Sequence, residues 1–185
     1  KGVYSFDATI IGNGEYGLVE NADFHTQNPG IAPAYMEVLW TDREDLIYGL
    51  SLINDEANFY ATGKEGNALV AAKDRNGNIL WSWHLWMTDS PLEQVYVQKS
   101  ASYALLDRNI GATKAYPEGG DDWKETIGTF YQWGRKDPFV IDNYKINYSR
   151  FSSIAESISR PTYYVHSYDT WSEGFSNKLW KYDQK

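Results

Sequence analysis

Two apolar stretches flank a glycine-containing turn in the middle of the chain, and this pattern constrains the fold more than any other feature. The stretch NALVAAK (67–73) is apolar on both faces, DRNGN (74–78) follows it, and ILWSWHLWM (79–87) returns. Asn76-Gly77 is a strong hairpin signal, because a type I′ turn needs positive φ at both central residues. The pattern predicts a central β-strand joined to its neighbour by a tight hairpin.

The returning strand alternates between two faces, as a period of two residues requires. One face is wholly apolar, so we predict that Trp81 and Trp83 lie in the core. The other face carries His84 and Trp86 among polar residues. Two interpretations of Trp86 are open: it stacks on a sugar ring or a partner protein, or the second half of the chain covers it. The second interpretation is favoured, because the second half of the chain must pack against another layer of secondary structure.

Three further segments of the first half place apolar residues at every second position, which is typical of half-buried strands. Their predicted inward-facing residues are Tyr4, Phe6, Ala8 and Ile10 in the first segment, Met36, Val38 and Trp40 in the second, and Leu46, Tyr48, Leu50 and Leu52 in the third. Residues 1–90 are therefore predicted to form a β-domain.

Residues 91–185 mix helical periodicity with loop-rich, aromatic sequence. In DDWKETIGTFYQWGRK (121–136), helical spacing relates Trp123, Ile127, Phe130 and Tyr131, with Asp121 or Asp122 as the cap and Gly128 as an internal weakness. In SRFSSIAESISRP (149–161), it relates Phe151, Ile154, Ala155 and Ile158, and Pro161 ends the helix. The predicted fold class is α+β, mainly β.

Charge and composition exclude several functional classes. The formal net charge is −8, and no cluster of lysine and arginine stands out. Nucleic acid is therefore excluded as a partner, because binding to its phosphates requires a basic surface. No apolar run approaches the ~18 residues of a membrane-spanning helix. With zero cysteines the chain has neither a thiol nucleophile nor a zinc–thiolate site.

Evidence for a metal or a catalytic group is weak. Asp74, Asn76 and Asn78 are spaced like the first ligands of a calcium loop, but the glycine falls at the wrong position and no acidic residue closes the site. The hairpin interpretation is therefore favoured. The three histidines are far apart, and neither a G-x-S-x-G motif nor a glycosidase-like carboxylate pair is present. We expect no catalytic residue, no cofactor and no metal.

Three motifs, in order, resemble a group of surface proteins of Bacteroides-type anaerobes. They are GNALVAAKDRNGNILWSWHLWMTD, LLDRNIGAT and FYQWGRKDPF. In that group the patterns are close to GNALIA-(K/R)D-x-x-G-x-ILWSWHIW-x-TD, MDRNLGA and LYYQWGRKDPF. The chain departs from the second pattern at Leu106 and Ile110, which preserve side-chain volume. The group is similar to fimbrillin-associated and lipoprotein adhesins and to the Fibrobacter succinogenes major paralogous domain.

The resemblance implies an immunoglobulin-like β-sandwich in residues 1–90 and a C-type-lectin-like part in residues 91–185. Such proteins usually have a cysteine before the position of Lys1 and a YDPCPxGW-like segment after that of Lys185, so we expect a fragment whose lectin-like part is incomplete. The implied function is a secreted or outer-membrane-attached module for adhesion or glycan capture. A structural component of a fimbrium or other surface assembly is the first alternative, and an enzyme acting on carbohydrate or peptide is the second.

Two polar motifs in the second half have a functional and a structural interpretation. They are Asp107-Arg108-Asn109 and Arg135-Lys136-Asp137. As a ligand site, arginine would hold a carboxylate or sugar hydroxyls and aspartate would accept hydroxyl protons. As structure, an internal Arg–Asp network would tie loops to the sandwich, which the need to satisfy buried backbone groups favours. The candidate ligand-binding residues are Trp86, Trp123, Trp171, Arg135 and Asp137.

Overall fold

The computed structural model describes residues 1–11, 30–89, 94–96, 104–132, 136–140, 147–149 and 154–165. The first half contains six strands: β1 (Gly2–Asp7), β2 (Tyr35–Thr41), β3 (Ile47–Ile53), β4 (Glu56–Ala61), β5 (Gly66–Lys73) and β6 (Ile79–Met87). They form two antiparallel three-stranded sheets. Sheet A has the order β1-β4-β3, and sheet B has the order β2-β5-β6.

One hydrophobic core joins the inner faces of the two sheets. Sheet A contributes Ile47, Ala57, Phe59 and Ala61, and sheet B contributes Met36, Ala68, Val70, Ala72, Trp81 and Trp83. The prediction that Trp81 and Trp83 are buried is confirmed, since their exposed fractions are 5% and 7%. The prediction that 67–73 is a central strand is also confirmed, because β5 lies between β2 and β6 and is buried on both faces.

Two irregularities in pairing move predicted inward-facing residues out of the core. In β3 the pairing with β4 shifts between Tyr48 and Ser51, and Gly49 has a φ of 65°. A bulge of this kind inserts one residue, so Leu50 continues the inner face and Tyr48 points outward. A similar shift between Val38 and Trp40 in β2 places Trp40 opposite Leu69, on the outer face of sheet B. The predictions that Tyr48 and Trp40 face inward are therefore wrong.

The predicted hairpin between β5 and β6 forms, but with a different turn. Gly77 has a φ of 84° and donates a backbone hydrogen bond to Asp74 O at 3.1 Å, whereas Asn76 is not among the residues with positive φ. The Asp74 carboxylate accepts 2.8 Å bonds from the Asn78 side chain and from the backbone N–H groups of Asn76 and Asn78. These bonds lower the pKa of Asp74 and hold its oxygens within the turn.

The two-residue turn with positive φ at both positions occurs elsewhere, between β3 and β4. Asn54 and Asp55 have φ values of 51° and 67°, as a type I′ turn requires. Sequence reasoning missed this turn because it relied on the more common Asn-Gly pair. Asparagine and aspartate tolerate this conformation better than other residues that carry a side chain, which explains their presence here.

The second half contains short elements only. They are β7 (Gln94–Tyr96), β8 (Ala104–Leu106), a 3-10 turn (Gly120–Asp122), α1 (Trp123–Ile127), β9 (Phe130–Tyr131), β10 (Pro138–Phe139), β11 (Asn147–Ser149), α2 (Ile154–Ser159) and β12 (Tyr163–Val165). Pairing joins β7 to β8 and β9 to β10, both antiparallel, and β11 to β12 in parallel. Among the described residues neither helix approaches the length and apolarity needed to cross a membrane. The fold is mainly β with antiparallel sheets, as the sequence predicted.

The helix predicted over 121–136 ends early. It stops at Ile127, because Gly128 has a φ of 75° and its Cα lies so close to Ile110 O that an added Cβ would be 2.3 Å from that oxygen. Phe130 and Tyr131 belong to β9 instead, so their assignment to a helix is wrong. The helix ending before Pro161 is confirmed as α2, and its Ile158 packs against the core. Phe151 lies outside the described residues.

Candidate functional site

The outer face of sheet B is covered by the second half of the chain. Leu69 and Ala71 of β5 point away from the core between the sheets, yet both are fully buried. On β6 the outward-facing side chains are Ser82, His84 and Trp86, and each is hydrogen-bonded to a residue between 112 and 137. Because hydrogen-bonding side chains of both halves of the chain come together there, the outer face of sheet B is the candidate site.

His84 lies at the centre of a hydrogen-bond network that joins three parts of the chain. Its Nε2 is 2.8 Å from Asn67 Oδ1, and its Nδ1 is 2.9 Å from the Tyr131 hydroxyl of β9. Asn67 Nδ2 donates to Asp42 Oδ2 at 2.7 Å and to Gly111 O at 2.9 Å. The network therefore ties sheet B to the loop that contains Gly111 and to β9.

The acceptors around Asn67 determine the tautomer of His84. A carboxylate and a backbone carbonyl can only accept, so the amide nitrogen of Asn67 faces Asp42 and Gly111, and its oxygen faces His84. His84 Nε2 must then carry the hydrogen, and Nδ1 accepts from the Tyr131 hydroxyl. Burial disfavours the charged imidazolium and lowers the pKa of His84 from 6.5 to about 4. The side chain is a neutral structural histidine at neutral pH.

Two aromatic rings lie close to this histidine. The centroids of Trp40 and Tyr131 lie 6.4 Å and 6.3 Å from that of the His84 ring. Burial also raises the pKa of Tyr131, because it disfavours the phenolate. Trp40 reaches this site only because the bulge in β2 turns it to the outer face.

A second polar cluster is buried around Ser82, which is two residues before His84 on β6. Ser82 Oγ donates to Asp137 Oδ1 at 2.7 Å, and Lys136 Nζ donates to Ser82 O at 2.9 Å. Lys136 also bonds the Ser82 hydroxyl and pairs with the Asp137 carboxylate, and its Nζ lies 4.5 Å from the centroid of the Trp81 ring. Ser82 and Asp137 are 3% and 2% exposed. This cluster attaches β10 to sheet B.

The Asp107-Arg108-Asn109 motif forms bonds within the protein. Arg108 makes a two-pronged ion pair with Asp107, with Nε and Nη2 at 3.0 Å and 2.7 Å from the two carboxylate oxygens. Its Nη1 also donates to Thr113 O at 3.2 Å, and Asn109 Nδ2 donates to Thr126 O at 3.1 Å. Together these bonds fix the loop between β8 and α1 and support the structural interpretation of the motif.

The candidate ligand-binding residues do not form one cluster in the described part of the chain. Trp86 is half-buried, and its Nε1 donates to Ala112 O at 3.1 Å. Asp137 is buried in the cluster with Ser82. Trp123 is 50% exposed at the start of α1, with Lys124 Nζ 5.9 Å from its ring centroid. Arg135 and Trp171 lie outside the described residues, and a ligand role for any of the five stays a prediction.

Sequence reasoning missed Asn67, Asp42 and Tyr131 as members of the site. The bond from Asn67 to Gly111 spans 44 positions, and the bond from His84 to Tyr131 spans 47. The available signal was the polar Asn67 at the start of an otherwise apolar strand, because a buried amide must find partners. Within the described ranges, no group of three or more histidine and acidic side chains could hold a metal ion.

No protein family, curated protein or solved structure matches the chain.

Proposed function

We propose that the protein is a secreted or cell-surface binding module that acts in adhesion or glycan capture. The proposal is supported by a difference in exposure between polar and aromatic side chains. The motif residues Arg108 and Asp137 are engaged inside the protein, whereas Trp123 and Tyr116 are 50% and 70% exposed. Exposed aromatic rings bind the apolar faces of sugars and the surfaces of proteins. Neither interaction requires an ionisable side chain with a shifted pKa.

We also propose an immunoglobulin-like sandwich for residues 1–90. The strand orders β1-β4-β3 and β2-β5-β6 support it, because they correspond to the immunoglobulin constant-type sheets without the first strand. For residues 91–185 we propose a C-type-lectin-like part. The short strands and short helices of the described ranges are compatible with a loop-rich domain of this kind.

The proposed family is the Bacteroides-type surface proteins, which include fimbrillin-associated and lipoprotein adhesins. The three sequence motifs support this assignment. Each motif has residues in the contacts described above: Asn67 and His84 in the first, Arg108 and Gly111 in the second, and Asp137 in the third. Hydrogen bonds between these segments explain why the three motifs would occur together in one chain. Attachment to the outer membrane follows from the same proposal.

A structural role in surface assembly is the second candidate, and the edge of sheet A favours it. Strand β1 pairs with β4 on one side, and among the described residues no strand pairs with its other side. In a complete immunoglobulin sandwich the first strand lies near this edge. An open edge can accept a strand from another chain through backbone hydrogen bonds.

A glycan array tests the proposed function. The purified chain is applied to the array, and strong signals are measured again with Trp123→Ala and Trp86→Ala. We expect binding to a defined glycan class, weakened by at least one of these changes. If no glycan binds while a fimbrial or other surface protein co-purifies with the chain, the assembly role replaces glycan capture. Release of a cleaved product from the array would indicate an enzyme.

A further inference from the structure

The outer face of sheet A carries a row of exposed side chains that do not belong to the core. Val3, Tyr60 and Tyr48 lie opposite one another on β1, β4 and β3. Their exposed fractions are 74%, 36% and 51%. Because neighbouring strands are about 4.8 Å apart, the row extends about 10 Å across the sheet. It is a mainly aromatic row about as long as two sugar rings.

A charged corner lies beside this row. The nearby Asp45 carboxylate raises the pKa of the Tyr48 hydroxyl. Lys64 Nζ lies 3.7 Å from Asp45 Oδ2 and donates to Glu44 O at 2.9 Å. Thr62 Oγ1 donates to Asp45 O at 2.7 Å. These bonds hold an aspartate and a lysine next to the aromatic row.

Stability alone does not account well for this corner. The Asp45 and Lys64 side chains are 57% and 53% exposed, and exposed ion pairs contribute little to the free energy of folding. Asp45 also has a φ of 57°, a conformation uncommon for residues with a side chain. Unfavourable backbone conformations that support exposed polar groups occur often at binding sites.

Polar side chains form the neighbouring row on the same face. Ser5, Asn58 and Ser51 lie opposite one another on the three strands. Their hydroxyl and amide groups can exchange hydrogen bonds with a hydroxylated ligand. The apolar row is thus bordered by short polar groups rather than by further apolar surface. A stable protein interface usually needs about 800 Å² on each partner, which a single row of three side chains does not offer.

We propose that this tyrosine face, defined by Val3, Asp45, Tyr48, Asn58, Tyr60 and Lys64, binds an uncharged oligosaccharide. The rings stack on the apolar faces of the sugars, and the aspartate and lysine bond the hydroxyl groups. The two charges of the corner cancel, and the net charge of −8 disfavours polyanionic glycans. The inference rests on the proposed glycan-binding function and adds the location of a site and the charge class of its ligand.

Calorimetric titration with three uncharged probes tests the inference. Cellohexaose, mannohexaose and xylohexaose are titrated into the whole chain and into Tyr48→Ala, Tyr60→Ala and Asp45→Asn variants. Asparagine tolerates the positive φ of position 45, so this change removes the charge without straining the backbone. Tyr35→Ala is the matched control, because Tyr35 is an exposed tyrosine of β2 in sheet B, outside sheet A. We expect each change in the face to weaken binding about tenfold and the control to have no effect.

Two results would overturn the inference in different ways. If a hexaose binds the wild type and both tyrosine variants with equal affinity, the tyrosine face is not the site, but glycan binding stands. If none of the hexaoses binds, the uncharged ligand class is wrong, and the array described above decides separately whether any glycan is bound. Thermal melting of each variant excludes unfolding as the cause of lost binding.

Discussion

Asn67 and His84 are diagonal neighbours on β5 and β6, joined by a 2.8 Å hydrogen bond between Oδ1 and Nε2. This bond places a neutral histidine between sheet B and the Tyr131 hydroxyl of the second half. All three sequence motifs meet in this network, because Asn67 also bonds Gly111 O of the second motif and Tyr131 belongs to the third. The attachment of the second half to sheet B is therefore specified by a few polar side chains.

The His84 network predicts a loss of stability in acid. The pKa of His84 is about 4 in the folded protein and 6.5 in the unfolded chain, so between these values only the unfolded state binds the proton. The stabilisation is complete above pH 6.5 and is lost as the pH falls towards 4, by roughly 3 kcal/mol for a shift of this size. Asp42 and Tyr131 are the other ionisable side chains that face this network.

Urea unfolding at pH 7 and at pH 4.5 checks this prediction. In the His84→Gln variant we expect the difference in unfolding free energy between the two pH values to be smaller than in the wild type. Equal differences in the two proteins would mean that His84 titrates with its ordinary pKa in the folded state.

Trp83 and Trp86 are expected to differ in their contribution to stability. Trp83 is in the core, so Trp83→Ala should cost about 3–5 kcal/mol. Trp86 is half-buried and makes one bond to the second half, so Trp86→Ala should cost less. Chemical denaturation of both variants gives the comparison, and the reverse order would show that Trp86 is the more important packing residue.

Trp83→Phe separates packing from hydrogen bonding at the same position. The Trp83 Nε1 is buried and has no hydrogen-bond partner among the described residues. Phenylalanine leaves a smaller cavity than alanine and removes this unsatisfied donor, so it should be far less destabilising. If Trp83→Phe lost as much stability as Trp83→Ala, the buried environment of the indole would be contradicted.

Removing only one charge of the Lys136–Asp137 pair should strongly reduce the free energy of unfolding. Asp137→Ala leaves the lysine without its carboxylate, and we expect a loss of about 3–5 kcal/mol. The double variant Lys136→Met, Asp137→Leu removes both charges and should recover much of that loss. Melting temperatures of the two variants check the order, and a double variant that is the less stable one would contradict it.

Gly128 is expected to tolerate no side chain. Its positive φ and its approach to Ile110 O would force the backbone to shift if a Cβ were added. Gly120 also has a positive φ, but no atom of the described part of the chain lies within 4 Å of the position of an added Cβ. Gly120→Ala should therefore cost only about 1 kcal/mol, whereas Gly128→Ala should cost clearly more. Equal losses would show that the contact with Ile110 is unimportant.

The sequence predicts the parts of this fold that depend on neighbouring residues. The alternation in β6, the apolar β5, the hairpin between them and the end of α2 before Pro161 all follow from local patterns. Bulges are harder to predict, because the one at Gly49 depends on pairing with β4 and inverts the face of Tyr48. The same limit applies to Gly128, which ends α1 through its contact with a distant carbonyl.

The candidate site was predictable only in part. His84 and Trp86 could be assigned to the face opposite the core, because strand periodicity fixes the face on which each residue lies. Their partners could not be assigned, since Tyr131 was placed in a helix and the role of Asn67 depends on a loop far along the chain. Hydrogen bonds across such separations leave no periodic signal in a single sequence.

We propose that the protein binds a glycan and leaves it unchanged. The most direct measurement is calorimetric titration of the whole chain with a glycan selected on the array, followed by chromatography of that glycan after incubation. We expect saturable binding, a glycan of unaltered length, and weaker binding when an exposed aromatic residue such as Trp123 is changed to alanine. Absence of binding to any glycan, or recovery of shortened products, would contradict it.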